Sequence, residues 1–318
     1  MRRPCSTIFV ASLVGSVFCI ALAGCQPSSP TVPDTPAGTV QAFHENMAEG
    51  KPEIIWAMLP ASYQKEVQDD IVKAFAAKID PEIHSKGVAV AKKLTALLRE
   101  KKDLIVPMVT ANPMFQMAQV DAAKFTQNWE KAVGLLDTLL ASEIGDLNRL
   151  KNADVGSFLR VTGGKLMQQV SELSALSEQD PYKKQFQAKM QAVKVEVVKT
   201  EGDKKTLRLS LPGEPEQTSE WVKVEGKWLP EEVVSGWKES MTSAKTQIAG
   251  MDKTLAESKP QIIGMLAGVE TALDQLSKAK TPEEFGQAAA GILSNLPFPL
   301  GMPGAAPGKP DELQPAKE

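Results

Sequence analysis

Only one stretch of this chain has apolar residues at a spacing of two, and that stretch limits what the rest can form. It covers residues 193–233. Valines and leucines alternate with charged or polar residues over 193–197 and 207–211, and turn-forming residues lie between them at 201–203. A second pair of such segments surrounds Glu225-Gly226. This alternation is typical of half-buried strands, so the sequence predicts two hairpins in one small four-stranded antiparallel sheet.

Elsewhere between residues 39 and 296 the apolar residues lie three and four apart, which is the spacing of amphipathic helices. A capping residue followed by proline predicts a helix start at three places, Thr35-Pro36, Asp80-Pro81 and Thr281-Pro282. Other prolines predict interruptions: a loop over 103–113 and a break at Pro260.

The predicted fold is therefore α+β and predominantly helical, with helices packed on the small sheet because an amphipathic helix must cover an apolar surface. We expect a single domain over 39–296, with a helical insert over about 80–190, the sheet over 193–233, and C-terminal helices over 235–295.

Three details of this fold are more local expectations. A short helix over 52–59 is expected to bury Ile55, and a helix capped by Ser62 is expected to bury Phe75. A short helix is also expected to begin at Asp180-Pro181 and end near Met190. Pro230 predicts that the last strand bends or lies at an edge of the sheet.

The N-terminus has the plan of a secretory signal. Arg2 and Arg3 form a short basic region, residues 8–20 are mostly apolar, and Leu22-Ala23-Gly24-Cys25 follows. The apolar run is too short to span a bilayer well. The residues alone leave open an ordinary signal peptide with an incidental cysteine, or an uncleaved anchor helix.

Leu22-Ala23-Gly24-Cys25 resembles the lipobox of bacterial lipoprotein signals. That resemblance implies a signal peptide over 1–24, cleavage between Gly24 and Cys25, and a lipid joined to Cys25 through a thioether. A third acyl chain, such as palmitate, usually follows on its amine, and two or three chains anchor a protein stably. The implied location is the bacterial cell membrane, and Gln26 resembles the sorting residue of proteins sent to the outer membrane in enteric bacteria.

The segments at the two ends of the predicted domain differ in composition from the rest. Residues 25–38 contain Cys25 and then four prolines among small polar residues, which predicts an extended tether. At about 3.1 Å per residue, this tether holds the domain up to roughly 35–40 Å from the lipid. Residues 297–318 are rich in proline, glycine and alanine and are predicted to be disordered.

Cysteine and charge counts exclude several classes of function. Cys5 and Cys19 leave with the signal peptide, so Cys25 is the only cysteine of the mature chain and neither a disulfide nor a cysteine metal site is expected. The chain carries a net charge of −3, and removal of Arg2 and Arg3 makes it −5. With its lysine doublets scattered, we expect no nucleic-acid partner.

Two segments carry a second resemblance, to the nuclear-transport-factor-like or SnoaL-like cone fold. Residues 221–229 resemble the closing hairpin of that fold, and residues 39–51 resemble its opening helix. Residues 56–60 resemble the short sequence segment to which its second helix leads. The resemblance implies helices folded over a curved antiparallel sheet, with an apolar pocket between them. The helical insert over 80–190 and the appended C-terminal helices depart from that family.

The candidates for chemistry are few. His44 and His84 have no second metal ligand three or four residues later, so no metal site is expected. Tyr63 and the pair Asp69-Asp70 lie in the helix that would line a cone pocket, but the two aspartates fall on its polar side. Thr162-Gly163-Gly164-Lys165 lacks the upstream glycine and the strand of a phosphate loop, which favours a local helix bend. We therefore expect no catalytic residue and no cofactor.

Three of the five tryptophans lie within seventeen residues of one another, at 221, 228 and 237. Packing between sheet and helix explains them, and stacking on a sugar or apolar ligand is the alternative.

The leading expectation is a lipid-anchored envelope protein with a non-enzymatic binding or assembly role, whose partners are the membrane and another envelope protein. The alternative is a ligand-binding or enzymatic cone domain with an apolar pocket for a small ligand near Trp221 and Trp228. A third hypothesis is that the helices over 120–141 and 235–278 form an oligomerisation bundle. The sequence does not determine the oligomeric state.

Overall fold

The computed structural model describes residues 30–117, 121–174, 192–210, 213 and 215–295. The predicted signal peptide with Cys25, the helix predicted to end near Met190 and the predicted disordered tail lie outside the described residues.

Helices of very different length precede the sheet. They are α1 (Pro36–Ala48), α2 (Ile54–Met58), α3 (Ala61–Lys65), a first π-helix (Glu66–Lys73), α4 (Ala74–Lys78), α5 (Pro81–Glu100), α6 (Lys102–Thr110), α7 (Pro113–Met117), α8 (Ala122–Ala141), a 3₁₀ turn (Glu143–Gly145), α9 (Leu147–Lys151), α10 (Val155–Phe158), a second π-helix (Leu159–Gly163) and α11 (Gly164–Ser174). The sheet and the C-terminal helices are β1 (Lys194–Glu201), β2 (Lys204–Ser210), β3 (Gln217–Val224), β4 (Lys227–Pro230), α12 (Glu231–Lys278) and α13 (Pro282–Asn295).

Three of the predicted helix starts are confirmed by their caps, whereas the cap predicted at Ser62 is wrong, because Ser62 lies inside α3, which begins after Pro60 without a side-chain cap. Thr35 accepts a hydrogen bond from the Gly38 amide at the start of α1, and Thr281 accepts one from the Glu284 amide at the start of α13. The Asp80 carboxylate accepts bonds from two amides in the first turn of α5. Each cap satisfies backbone donors that have no partner within the helix, so these short motifs locate the helix ends without help from the rest of the fold.

The predicted burial of Phe75 and Ile55 is wrong, and each side chain is 44% exposed. A π-helix holds more residues per turn than an α-helix, so the first π-helix shifts the buried face of the residues after it. Ala76 is therefore buried in place of Phe75. In α2, Ile54 is buried instead of Ile55, because contacts with α1 and β4 set the orientation of this single turn.

Neither of the two prolines expected to interrupt the helices does so. Residues 103–113 were predicted as a loop, but most of them lie in α6, which contains Pro107, and at the start of α7. The break predicted at Pro260 is also absent, because α12 continues through it for 48 residues. A proline removes one helical hydrogen bond and crowds one carbonyl. Packing opposes that cost: α6 buries Ile105 and Val106, and α12 lies along α5.

The four strands form one antiparallel sheet in the order β1-β2-β3-β4, as predicted. Gly202 (φ 60°), Glu225 (φ 49°) and Gly226 (φ 79°) supply the left-handed backbone that tight hairpin turns require. The last strand ends at Pro230 and not at Val233, because α12 begins directly after it.

One face of the sheet is covered by α1, which contacts β1, β2 and β4. The cluster between them contains Val40 of α1, Leu207 of β2, Trp221 of β3 and Trp228 of β4. A second cluster lies among α6, α8, and the end of α12 with α13, and contains Ile105, Val106, Trp129, Val133, Ala279 and Phe285. The fold is thus a predominantly helical α+β structure with one core at the sheet and another among the helices.

The long helices form a row in the order α12, α5, α8, α11. The apolar stripes of α8 and α12, which suggested an oligomerisation bundle, therefore face helices of the same chain. Trp129 of α8 donates an indole hydrogen bond to the Leu98 carbonyl of α5 at 2.8 Å, which fixes the two helices against each other. This packing is the intramolecular arrangement that such wide stripes favour.

Candidate functional site

Trp221 and Trp228 lie on the sheet face that α1 covers. They are 6% and 4% exposed, and both contact the Val40 and Leu207 cluster. The predicted packing between sheet and helix is therefore present. One observation is unusual for such packing: neither indole Nε1 has a hydrogen-bond acceptor, although both atoms are buried. A buried donor without an acceptor costs about 1–3 kcal/mol, so it calls for an explanation.

Trp237 does not join the other two tryptophans. It lies on α12, where its ring stacks on Tyr63 with centroids 4.0 Å apart and planes 10° apart. Its indole donates to the Glu66 carboxylate at 2.8 Å. Three tryptophans that are close in sequence therefore serve two separate places in the fold, because the chain turns from β4 into α12 between them.

Glu66 is the centre of a polar cluster between the first π-helix and α12. Its carboxylate also accepts a hydrogen bond from Lys245 at 2.7 Å, and Lys245 reaches Asp70 at 2.8 Å. Hydrogen bonds from Lys245 and then Trp237 hold the pKa of Glu66 below its usual range. Burial, then the carboxylates of Glu225 and Glu66, raises the pKa of Tyr63. These shifts leave a fixed carboxylate and a protonated phenol, which orient α12 and provide no group that exchanges protons near neutral pH.

The aspartate pair predicted on the polar side of the helix is paired with lysines. Asp69 accepts from Lys65 at 2.7 Å and from Lys73 at 2.8 Å, one turn to either side. These two hydrogen bonds lower the pKa of Asp69 to about 2. Asp70 points instead toward Lys245 on α12. Both aspartates are therefore engaged in ion pairs.

Both histidines make structural hydrogen bonds. His44 Nδ1 lies 2.7 Å from the Val40 carbonyl one turn earlier, and His84 Nε2 lies 2.9 Å from the Ile144 carbonyl in the 3₁₀ turn. Among the described residues, no group of three His, Cys, Asp or Glu side chains could hold a metal ion.

A cleft of about 380 Å³, which the sequence analysis does not predict, lies between α5 and α8. It is lined by Lys92, Thr95, Ala96, Arg99, Asp137, Leu140 and Ala141. The Arg99 guanidinium pairs with Asp137 and donates to Glu130 at 3.2 Å. Hydrogen bonding from Arg99 lowers the pKa of Asp137, so these two charges of the cleft already satisfy each other. The only sequence signal was the seven-residue spacing of Lys92 and Arg99, which places both on one helix face.

All resolved pKa shifts of the described residues, including the raised pKa of Tyr63, move away from neutral pH. Every shifted Asp and Glu has its pKa lowered, as for Asp34 and Asp80, and every shifted lysine has its pKa raised, as for Lys93 and Lys259. Hydrogen bonds between opposite charges are the main cause for most of these groups, whereas Glu225 and Asp146 accept hydrogen bonds from uncharged groups. Catalytic acids and bases are tuned the other way, toward the working pH.

The predicted lipid-attachment residue Cys25 and cleavage residue Gly24 precede the described part of the chain, which begins at Pro30. Within the described residues, no helix combines the length and the apolar character needed to cross a membrane. Comparison with protein-family models, with curated proteins and with solved structures finds no match.

Proposed function

We propose that this chain is a lipid-anchored protein of the bacterial cell envelope with a binding or assembly role and no catalytic activity. The observation that carries the non-enzymatic part is the pairing of charged side chains among the described residues, as of Glu66 with Lys245 and of Asp69 with Lys65, which lowers the pKa of both carboxylates and so moves it away from neutral pH. The anchor rests on Cys25 at the end of its lipobox, followed by the proline-rich tether.

The anchor is tested by labelling cells with radioactive palmitate and comparing two cysteine variants. Wild-type protein is expected to incorporate the label and to stay in the membrane fraction. Cys25→Ser removes the thiol that carries the lipid, so we expect no label. Cys19→Ser is the matched control, because it changes a cysteine of the same signal region and is expected to leave labelling unchanged. Label retained in Cys25→Ser would refute lipidation at this residue.

The absence of catalysis is tested separately, with a broad screen of hydrolase and isomerase substrates on the purified protein. Turnover of any substrate would contradict the non-enzymatic part of the proposal, provided that replacing one side chain of the folded domain abolishes that turnover.

The second candidate is a ligand-binding cone domain with an apolar pocket beside Trp221 and Trp228. The two buried indole N–H groups without acceptors favour it, because a ligand oxygen would satisfy them. The close packing of both rings against Val40 and Leu207 opposes it. Saturable quenching of tryptophan fluorescence by an apolar probe, lost in Trp228→Phe, would support this candidate, and unchanged fluorescence would count against it.

A further inference from the structure

The end of the tether is attached to the folded domain. Asp34, the residue before the α1 cap, lies 2.5 Å from Lys223 of β3 in an ion pair. Behind it, the buried Thr39 hydroxyl lies 3.0 Å from the Thr35 carbonyl and 3.2 Å from the Pro33 carbonyl and shares its one proton between them. The backbone around Pro33-Asp34 is thus fixed from two sides, although the sequence predicted a free extended tether through residue 38.

Asp34 lies at a place where positive charge and hydrogen-bond donors converge. The β2–β3 and β3–β4 registers pair Lys205 with Trp221 and Lys223 with Trp228, so all four side chains share the sheet face that α1 covers. Lys205 Nζ and Lys223 Nζ lie 5.0 and 5.8 Å from the centre of the Trp228 ring. Two ammonium groups therefore lie near the same indole, in the range of cation–π attraction.

The donors at this place outnumber the acceptors. Lys223 first, and the Trp228 indole N–H to a smaller extent, lower the pKa of Asp34, but Trp228 Nε1 has no acceptor at hydrogen-bond distance. The neighbouring Trp221 N–H also has no acceptor. One carboxylate, 71% exposed, thus faces two lysines and an unsatisfied indole. A ligand with a carboxylate and nearby carbonyl oxygens would satisfy more of these donors than Asp34 does.

We propose that Lys205, Lys223 and Trp228 form a binding site for the acidic side chain of an extended peptide segment of a partner protein, and that Asp34 occupies this site until the partner segment displaces it. The chemistry of the occupant follows from the segment seated there, Val32-Pro33-Asp34, which precedes the helix, contains a proline and is acidic. Displacement would free residues 30–35 and lengthen the tether. This consequence rests on the proposed lipid anchor, whereas the binding itself does not.

The test titrates a synthetic peptide with the sequence of residues 31–36 into the full mature chain in detergent, by calorimetry and by the indole ¹⁵N–¹H signals. Asp34→Asn empties the site and is expected to bind the peptide. Wild-type protein is expected to bind about tenfold more weakly or worse, because a tethered competitor acts at millimolar effective concentration. On binding, the Trp228 indole signal is expected to shift as its N–H gains an acceptor.

Two further variants make the result specific. Lys223→Met in the Asp34→Asn background is expected to abolish binding. Lys227→Met in the same background is the matched control: it changes a lysine of the same hairpin that strand alternation places on the opposite face, so binding is expected to persist. A peptide with asparagine in place of the aspartate is expected not to bind.

No peptide binding to folded Asp34→Asn, or equal binding after Lys223→Met, would overturn the proposal. So would binding of acetate as tight as that of the peptide, because the site would then recognise a free carboxylate and not a peptide. The palmitate experiment on Cys25 is independent of this titration. A failed anchor therefore leaves the peptide site standing, and a failed peptide site leaves the anchor standing.

Discussion

Leu207 provides the sharpest test of how the sheet is held to α1. The side chain is fully buried between Val40 and the two tryptophans at the centre of the cluster. Leu207→Ala removes three carbon atoms, which at about 0.8 kcal/mol each is a loss of about 2.4 kcal/mol from transfer alone. The rigid indole rings limit collapse into the space left, so a cavity term adds to it. We expect the free energy of unfolding to fall by about 3–4 kcal/mol.

Urea unfolding followed by tryptophan fluorescence measures this loss. With a slope of about 3 kcal/mol per molar urea, the midpoint is expected to fall by about 1 M. Val197→Ala is the matched control. Val197 is paired with Leu207 across β1 and β2 and shares its face, but it is 45% exposed. We expect its loss to stay below about 1 kcal/mol. Equal midpoints for the two variants would refute the conclusion that this cluster is the core of the sheet region.

The remaining predictions concern an ion pair and two glycines. The pKa of Glu66 is lowered in the fold, so its charge adds stability above the ordinary glutamate pKa of about 4.3, and this is lost as pH falls through the folded value. Glu66→Gln should thus cost at most about 1 kcal/mol at pH 7 and nothing near pH 2 in urea titrations, and a cost that grows toward low pH would contradict this sign. Gly202→Ala should destabilise by about 1 kcal/mol, because Gly202 has φ 60° in open space. Gly250→Ala, also in open space but inside α12, should stabilise by about 0.5–1 kcal/mol, and thermal midpoints that move in the same direction for both would refute the backbone argument.

Local signals in the sequence predicted those features that a few neighbouring residues decide. The two-residue period over 193–211 and the turn at Glu225-Gly226 specified the hairpins, because strand alternation and left-handed turns depend on adjacent residues alone. Thr35 and Asp80 predicted helix starts for the same reason, since a cap satisfies amides only two or three residues away.

The same local rules failed where distant parts of the chain set the outcome. Pro260 was expected to break a helix, yet α12 continues through it. Beside it, Lys259 bonds to Asp80 and Glu82 at the start of α5, so the flanking turns are held from another element. The first π-helix moved the buried face from Phe75 to Ala76, and no periodicity of three and four predicts such a shift.

The sequence by itself determined the class of fold, three of the helix starts, the two hairpins and the expectation of an anchor at Cys25, because each depends on residues close together in the chain. Only the tertiary structure decided which charges meet. Asp34 and Lys223 are 189 positions apart, and Glu66 and Lys245 are 179 apart. Pairing across such separations depends on how helices and strands pack, and that packing joins the end of the predicted tether to the sheet.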